Sequence, residues 1–162
     1  MIDYDLFKNI EQYAEQHFKS SIEHYKKGYT YIKNERKIFD FILNGKIAEY
    51  NLYFHLKNEN FILNEPDLKI YTTGKSFDSD LIILGKENEL FQENEKIHIH
   101  VKGITKKTYE NFGSSFLLQK NDPIVIDQKN EKYKNHYFAA LHQTDNFLVY
   151  DNIKKTSVSR VN

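Results

Sequence analysis

The segment KNHYFAALHQTDNFLVYDN, residues 134–152, contains a hairpin pattern within this 162-residue chain. Two apolar runs, YFAAL and FLVY, are separated by the polar residues Gln143–Asn146. Alternate apolar runs joined by a short polar turn are typical of a β-hairpin. His136 opens the first run and Asp151 closes the second. Antiparallel pairing therefore predicts that these two residues lie near one another at one end of a sheet.

A histidine beside a carboxylate is a pair that can do acid-base chemistry. The carboxylate of Asp151 would accept a hydrogen bond from one imidazole nitrogen of His136 and fix its tautomer, which leaves the other nitrogen free as a general base. The spacing alone is equally compatible with a solvent-exposed polar pair at two strand ends. The sequence thus names His136 and Asp151 as candidate catalytic residues, either active or vestigial.

Residues 4–26 form an amphipathic pattern in which apolar residues recur every three or four positions, with Glu, Gln and Lys between them. This period predicts a helix that buries one stripe against a core. Gly28 is a plausible stop signal. The residues predicted to be buried are Phe7, Ile10, Phe18, Ile22 and Tyr25.

From Lys37 onward the apolar residues alternate, and Asn44-Gly45 separates the two alternating runs. An Asn-Gly pair in this setting favours a tight hairpin, so residues 37–65 are predicted to form a three-stranded meander that ends with Phe61–Leu63. Further strands are expected at Leu68–Thr72, Leu81–Leu84, Ile97–Val101 and Ile124–Ile126, and a helix at Thr105–Gln119.

This order predicts an α+β domain with an N-terminal helix and an antiparallel sheet. The chain is expected to be one domain, residues 1–162, with a helix and meander region over 1–95 and a strand-helix-hairpin region over 96–162.

Composition limits the classes of function. The 23 Lys and Arg residues balance the 23 Asp and Glu residues, so no overall positive field favours nucleic acid or an anionic membrane. The absence of cysteine excludes disulfides, thiolate metal sites and a cysteine nucleophile within this sequence. The acidic, amphipathic start is unlike a secretory signal, so we expect a cytoplasmic protein. We also expect neither a cofactor nor a metal ion. The oligomeric state is not predicted by any pattern.

Two further clusters are candidates for chemistry. His98 and His100 would share one face of a strand, a spacing that two zinc ligands can use, although a solvent-facing pair is the simpler explanation. Ser20 and Ser21 lie beside His24 on the first helix, where Ser21 and His24 could touch. Both serines are expected in the middle of the helix, far from the N-terminal amides that could stabilise an oxyanion.

The tract from Lys96 to Asn152 resembles the later part of papain-like cysteine hydrolase domains, in particular the butirosin biosynthesis protein H N-terminal family and the bacteriocin-processing peptidases. The matching motifs are DPIVID at 122–127, HYFAAL from His136 and VYD at 149–151. Asp127 and Tyr133 match the family pattern loosely. The resemblance implies that the C-terminal half is papain-like, with His136 and Asp151 in the position of the catalytic pair.

The families that the tract resembles carry a cysteine nucleophile on an early helix, and this chain has none. The resemblance therefore implies a catalytically degenerate domain that binds a peptide, a carrier-protein-bound intermediate or a protein partner in a bacterial peptide or secondary-metabolite pathway. One alternative is an active acyltransferase or amide hydrolase that uses His136 as a base without a cysteine. The other alternative is a small interaction or inhibitor protein of unrelated fold.

Overall fold

The computed structural model describes residues 1–28, 34–71, 79–105, 107, 110–111, 131–144 and 147–154. Within these residues two helices pack on one face of a six-stranded mixed sheet. The predicted α+β class is confirmed. Among the helices of the described ranges, none is long and apolar enough to cross a bilayer.

The first helix, α1, spans Tyr4–Gly28, as the apolar stripe predicted. The Asp3 carboxylate caps its first turn by accepting from the Leu6 N–H at 2.9 Å. Of the five residues expected to be buried, Ile10 is fully buried, whereas Phe7, Phe18 and Ile22 are half-buried. The side chain of Tyr25 lies outside the described residues.

The second helix, α2, spans Glu35–Asn58, and it replaces most of the predicted meander. The Asn34 side chain caps it by accepting from the Arg36 N–H at 2.9 Å. The predicted hairpin at Asn44-Gly45 was therefore wrong, because both residues lie within a continuous helix. Only the last predicted strand of the meander is a strand, β1, Phe61–Leu63.

The error has a physical cause, which is that α2 is buried on two sides. Residues Ile38 and Ile42 pack against Ala14 of α1. Residues Ala48 and Leu52 belong to the cluster that contacts the sheet. Because the two buried stripes are adjacent on the helix, buried residues occur at every second position from Ala48 to Leu52, which imitates the alternation of a strand.

The sheet contains β1, β2 (Leu81–Lys86), β3 (Glu89–Leu90), β4 (Ile97–Ile104), β5 (His136–Thr144) and β6 (Phe147–Lys154). Its order is β1-β2-β4-β5-β6, and β3 pairs with β2. Short 3₁₀ helices at Glu93–Glu95 and Glu131–Tyr133 precede β4 and β5. The predicted strands beginning at Leu81 and Ile97 are confirmed.

Strands β4 and β5 pair in parallel, with His98 opposite His136 and Val101 opposite Ala139. The other strand pairs are antiparallel, so the sheet is mixed and not the fully antiparallel sheet that the sequence predicted. A long connection between Ile104 and His136 lets the chain return to the same end of the sheet, as a parallel pair requires. The β5–β6 hairpin itself is confirmed.

Three other predicted elements are tested only in part or not at all. Residues 68–71 have no strand pairing, so the expected strand from Leu68 is absent up to Tyr71. Thr72 and the predicted strand Ile124–Ile126 lie outside the described residues, and so does most of the predicted helix Thr105–Gln119.

A buried ion pair fixes α2 to its surroundings. The Lys46 ammonium lies 2.5 Å from the Glu49 carboxylate and donates to the Asp67 carbonyl at 2.9 Å. The same ammonium lies 5.0 Å from the centre of the Tyr13 ring on α1. Lysine is rarely buried unless its charge is compensated, and here three groups compensate it. Lys46 thus joins α1, α2 and the segment before β2.

Gly45 offers a direct test of the helix against the hairpin. Nothing lies within 4 Å of a Cβ atom placed at Gly45, so Gly45→Ala should raise the free energy of unfolding by about 0.5 to 1 kcal/mol through helix propensity. A hairpin with positive φ at this position would give a loss instead. Gly85→Ala is the matched control, because its Cβ atom would meet the Glu89 carbonyl oxygen and destabilise the fold. Urea unfolding measures both variants.

Lys46→Met should destabilise the protein by about 3 kcal/mol, because it removes the buried cation from the ion pair with the Glu49 carboxylate. The double variant Lys46→Met/Glu49→Leu should recover most of this loss, since both members of the ion pair are then replaced by apolar side chains. Urea unfolding of the two variants measures the difference. A double variant as unstable as Lys46→Met would contradict the pairing.

Candidate functional site

Three histidines meet on the face of the sheet that is opposite to the helices. The parallel register places His98 of β4 directly across from His136 of β5, and His100 follows two residues later on the same face. Residues Ile99 and Val101, between and after them, point to the helical core. Alternation along β4 and the parallel pairing together create this histidine cluster, defined as His98, His100 and His136.

The three rings contact one another closely. The rings of His98 and His136 stack with their centres 4.5 Å apart and their planes 5° from parallel. His100 Nε2 lies 2.9 Å from His136 Nδ1, a hydrogen-bond distance. One of these two nitrogens must carry the hydrogen and the other must accept it, so at least one of the two imidazoles is neutral in this bond.

The surroundings enclose His136 further. The Tyr133 ring contacts the His136 ring edge-on, with 5.2 Å between the ring centres. His136 is only 9% exposed. On the other side of the cluster, the Ser79 hydroxyl lies 3.0 Å from His98 Nδ1. The His100 ring packs against Phe138 at 5.3 Å. Each histidine of the cluster is thus in contact with a named neighbour.

Burial, and to a smaller extent electrostatic repulsion from His98, His100 and Lys132, together lower the pKa of His136 to about 4. His136 is consequently neutral at pH 7. A neutral imidazole can accept a proton, but a base with so low a pKa gives little driving force for proton abstraction near neutral pH.

Asp151 lies on β6, the antiparallel neighbour of β5, as the hairpin predicted. The register, however, pairs Ala140 with Asn152 and Leu141 with Tyr150, so Asp151 stands at a bulge opposite the Ala140–Leu141 step. His136 precedes Ala140 by four residues, which is about 13 Å along a strand. The backbone register therefore does not bring Asp151 beside His136. The polar neighbours of His136 are His98 and His100 instead.

The predicted pair His98 and His100 does share one face of a strand. Within the described ranges, no group of three or more His, Asp or Glu side chains is arranged to hold a metal ion. Sequence reasoning singled out all three histidines but did not bring them together. The long connection before His136 is the sequence feature that could have indicated a parallel pairing of its strand with β4. Nothing in the sequence singled out Ser79.

The serines of α1 are not arranged as nucleophiles. Ser20 donates to the His17 carbonyl at 2.9 Å, and Ser21 donates to the same carbonyl at 2.5 Å. Ser21 also lies 3.0 Å from His17 Nδ1. Because the single hydroxyl proton of Ser21 goes to the carbonyl, the imidazole must be the donor in this contact and does not act as a base. The His24 side chain lies outside the described residues.

No protein-family model, curated protein or solved structure matches this chain. The functional interpretation consequently depends on the geometry of the site and on the motifs of the sequence.

His136 should make stability depend on pH. As the pH falls, His136 of the unfolded chain, with an ordinary pKa of 6.5, takes up a proton first. In the folded chain the pKa of His136 is about 4, so it takes up the proton only at lower pH. The unfolded state therefore holds more protons between pH 6.5 and pH 4, and the free energy of unfolding should fall as the pH is lowered through this window. Each pH unit contributes about 1.4 kcal/mol at most.

The measurement is urea unfolding of wild type and His136→Gln at several pH values between 7 and 4. We expect the variant to lose stability less steeply over this range, although its stability at pH 7 is lower. Equal slopes in the two proteins would contradict a buried, neutral His136.

Proposed function

We propose that this chain is a binding domain without catalytic activity, whose ligand is a peptide, a carrier-protein-bound intermediate or a protein partner. The observation that carries this proposal is that the His136 side chain is buried and contacts other side chains of the protein. Its Nδ1 is at hydrogen-bond distance from His100, its ring is stacked on His98, and the residue is 9% exposed. Nδ1 is thereby occupied, and the burial of the residue limits the access of a substrate proton to the other nitrogen, Nε2, which a catalytic base would need.

Among the described residues, no serine hydroxyl lies at hydrogen-bond distance from His136, which supports the same proposal. The sequence has no cysteine, and the Ser20 and Ser21 hydroxyls donate to a helix carbonyl. The register does not supply Asp151 as an orienting carboxylate for His136. In a hydrolase the nucleophile, its base and the orienting group lie within hydrogen-bond reach of one another, at least loosely.

The papain-like resemblance is not needed for this proposal. The parallel β4–β5 pair departs from the antiparallel sheet that the resemblance implied. The alternative of an active acyltransferase with His136 as base would require the cluster to open, because His98 is stacked on the imidazole and Tyr133 contacts it edge-on.

The test compares catalysis and binding in wild type and His136→Gln. We expect that hydrolysis of p-nitrophenyl acetate and labelling by a fluorophosphonate probe will be the same in both proteins and no higher than in His55→Gln, which changes an exposed histidine on α2. Peptides selected from a random phage-displayed library on wild type should bind His136→Gln with less than a twofold change in Kd.

Two outcomes would overturn the proposal. Turnover or labelling that disappears in His136→Gln but persists in His55→Gln would show that His136 is a working base. A library selection that yields no binder would remove the peptide-binding role.

A further inference from the structure

A pocket lies between the last turn of α2 and the helical face of the sheet. It encloses about 440 Å³, which falls within the roughly 300 to 1,000 Å³ that is typical of sites for small molecules. Its lining comes from α2, from the C-cap of α2 and from β1, β2, β4 and β5, and every lining residue belongs to the described part of the chain. This cavity is called the α2 pocket below.

The base of the α2 pocket is an apolar row that crosses four strands, with Phe61, Ile83, Ile97 and Tyr137 contributed by β1, β2, β4 and β5 in that order. Ile83 pairs directly with Ile97, and Tyr137 pairs with Ile99, two residues further along β4. Three strand spacings separate β1 from β5, so the base is about 14 Å long. The pocket is therefore elongated, with an aromatic ring at each end.

The deep part of the pocket is apolar on both of its sides. Leu56 of α2 and Ile83 of β2 are buried, whereas Phe61, Ile97 and Tyr137 are half-buried. Part of the surface of the half-buried side chains is thus accessible to a ligand. An apolar ligand group that covers this surface gains free energy in proportion to the area removed from water.

The charge at the rim of the pocket is negative. Glu59, the C-cap of α2, lines the pocket and precedes Phe61 by two residues, which puts it at the β1 end of the base. The C-terminal end of a helix carries a partial negative charge of its own. Lys86 lies 4.9 Å from the centre of the Phe61 ring but does not line the pocket, and His55 is the other polar residue of the rim. The β1 end therefore favours a cationic group over an anionic one.

We propose that the α2 pocket binds a primary amine with an unbranched apolar tail. The ammonium group pairs with the Glu59 carboxylate, and the tail lies across Ile83 and Ile97 towards Tyr137. The length of the apolar base selects the tail, and the carboxylate together with the helix end selects the head group.

This site goes beyond the proposed function and does not depend on it. The α2 pocket lies on the helical face of the sheet, whereas the histidine cluster lies on the opposite face. A failure of the amine site consequently leaves the proposed binding role of the domain intact, and the reverse also holds.

Three probes with one tail test the head group, namely octylamine, octanol and octanoate. Methyl NMR follows Leu56, Ile83 and Ile97 in the pocket, with Ile38 as an internal control because it packs against Ala14 of α1. We expect the pocket methyl signals to shift and the Ile38 signal to stay in place. The Kd should be lowest for octylamine and highest for octanoate.

A series of butylamine, hexylamine and octylamine tests the length of the base. Kd should fall roughly fourfold for each methylene that becomes buried, so octylamine should bind at least about tenfold more tightly than butylamine. A site that contacts only the ammonium group would bind all three amines equally.

A matched pair of variants tests the carboxylate. Glu59→Gln should raise the Kd of octylamine roughly two- to fivefold, as expected for an exposed ion pair, and leave the Kd of octanol unchanged. Glu15→Gln is the control, because Glu15 is exposed on α1 next to Ala14, which packs against the other half of α2. It should change neither Kd.

A second pair of variants tests the base of the pocket. Ile97→Trp places a larger ring in the cavity and should raise the Kd of octylamine and octanol roughly tenfold or more. Leu90→Trp is the control, since Leu90 is 73% exposed on β3 and does not line the pocket. Urea unfolding verifies that each variant folds, and the Glu59→Gln result decides the proposal if Ile97→Trp does not.

Three results would overturn the proposal. Pocket methyl signals that do not shift with any probe would mean that the cavity does not admit these molecules. Shifts of Ile38 as large as those of Ile83 would mean non-specific binding. Octanoate that binds wild type as tightly as octylamine would exclude Glu59 as the group that selects the ligand.

Discussion

The burial of α2 between α1 and the sheet is the constraint on which the rest of the structure depends. One stripe of the helix packs on α1, the adjacent stripe packs on the strands, and Lys46 joins both sides through Glu49, Asp67 and Tyr13. The buried charge is tolerated because a carboxylate, a carbonyl oxygen and an aromatic ring compensate the lost hydration of the ammonium. The position of α2 then determines the α2 pocket, because the last turn of the helix and four strands line this pocket from opposite sides.

The sequence predicted those elements whose local pattern is unambiguous. The stripe of α1 has a period of 3.6, and the β5–β6 hairpin has two apolar runs on either side of a polar turn. Helix α2 buries two faces, and its apolar residues therefore alternate from Ala48 to Leu52. Asn44-Gly45, a strong turn signal in a strand context, is a tolerated pair within a helix because tertiary burial outweighs local propensity.

The candidate site was predictable by residue type but not by arrangement. His98 and His100 could be named from alternation along their strand, and His136 from its place at the start of the hairpin. Their contact depends on the parallel register of β4 and β5, which is set by long-range packing and not by any local pattern. The register of the β5–β6 hairpin separates Asp151 from His136, because Thr144 pairs with Phe147 and Asp151 therefore lies opposite the Ala140–Leu141 step.

The parallel pairing of β4 with β5 has a consequence for how the chain folds. His98 and His136 are neighbours in space but far apart in sequence, so their contact closes a long loop, and loop closure is unfavourable in entropy until the ladder forms. The α1–α2 contacts and the β5–β6 hairpin are local by comparison and can form early. We therefore expect the transition state for folding to contain the helical pair and the hairpin, and the histidine contacts to form after it.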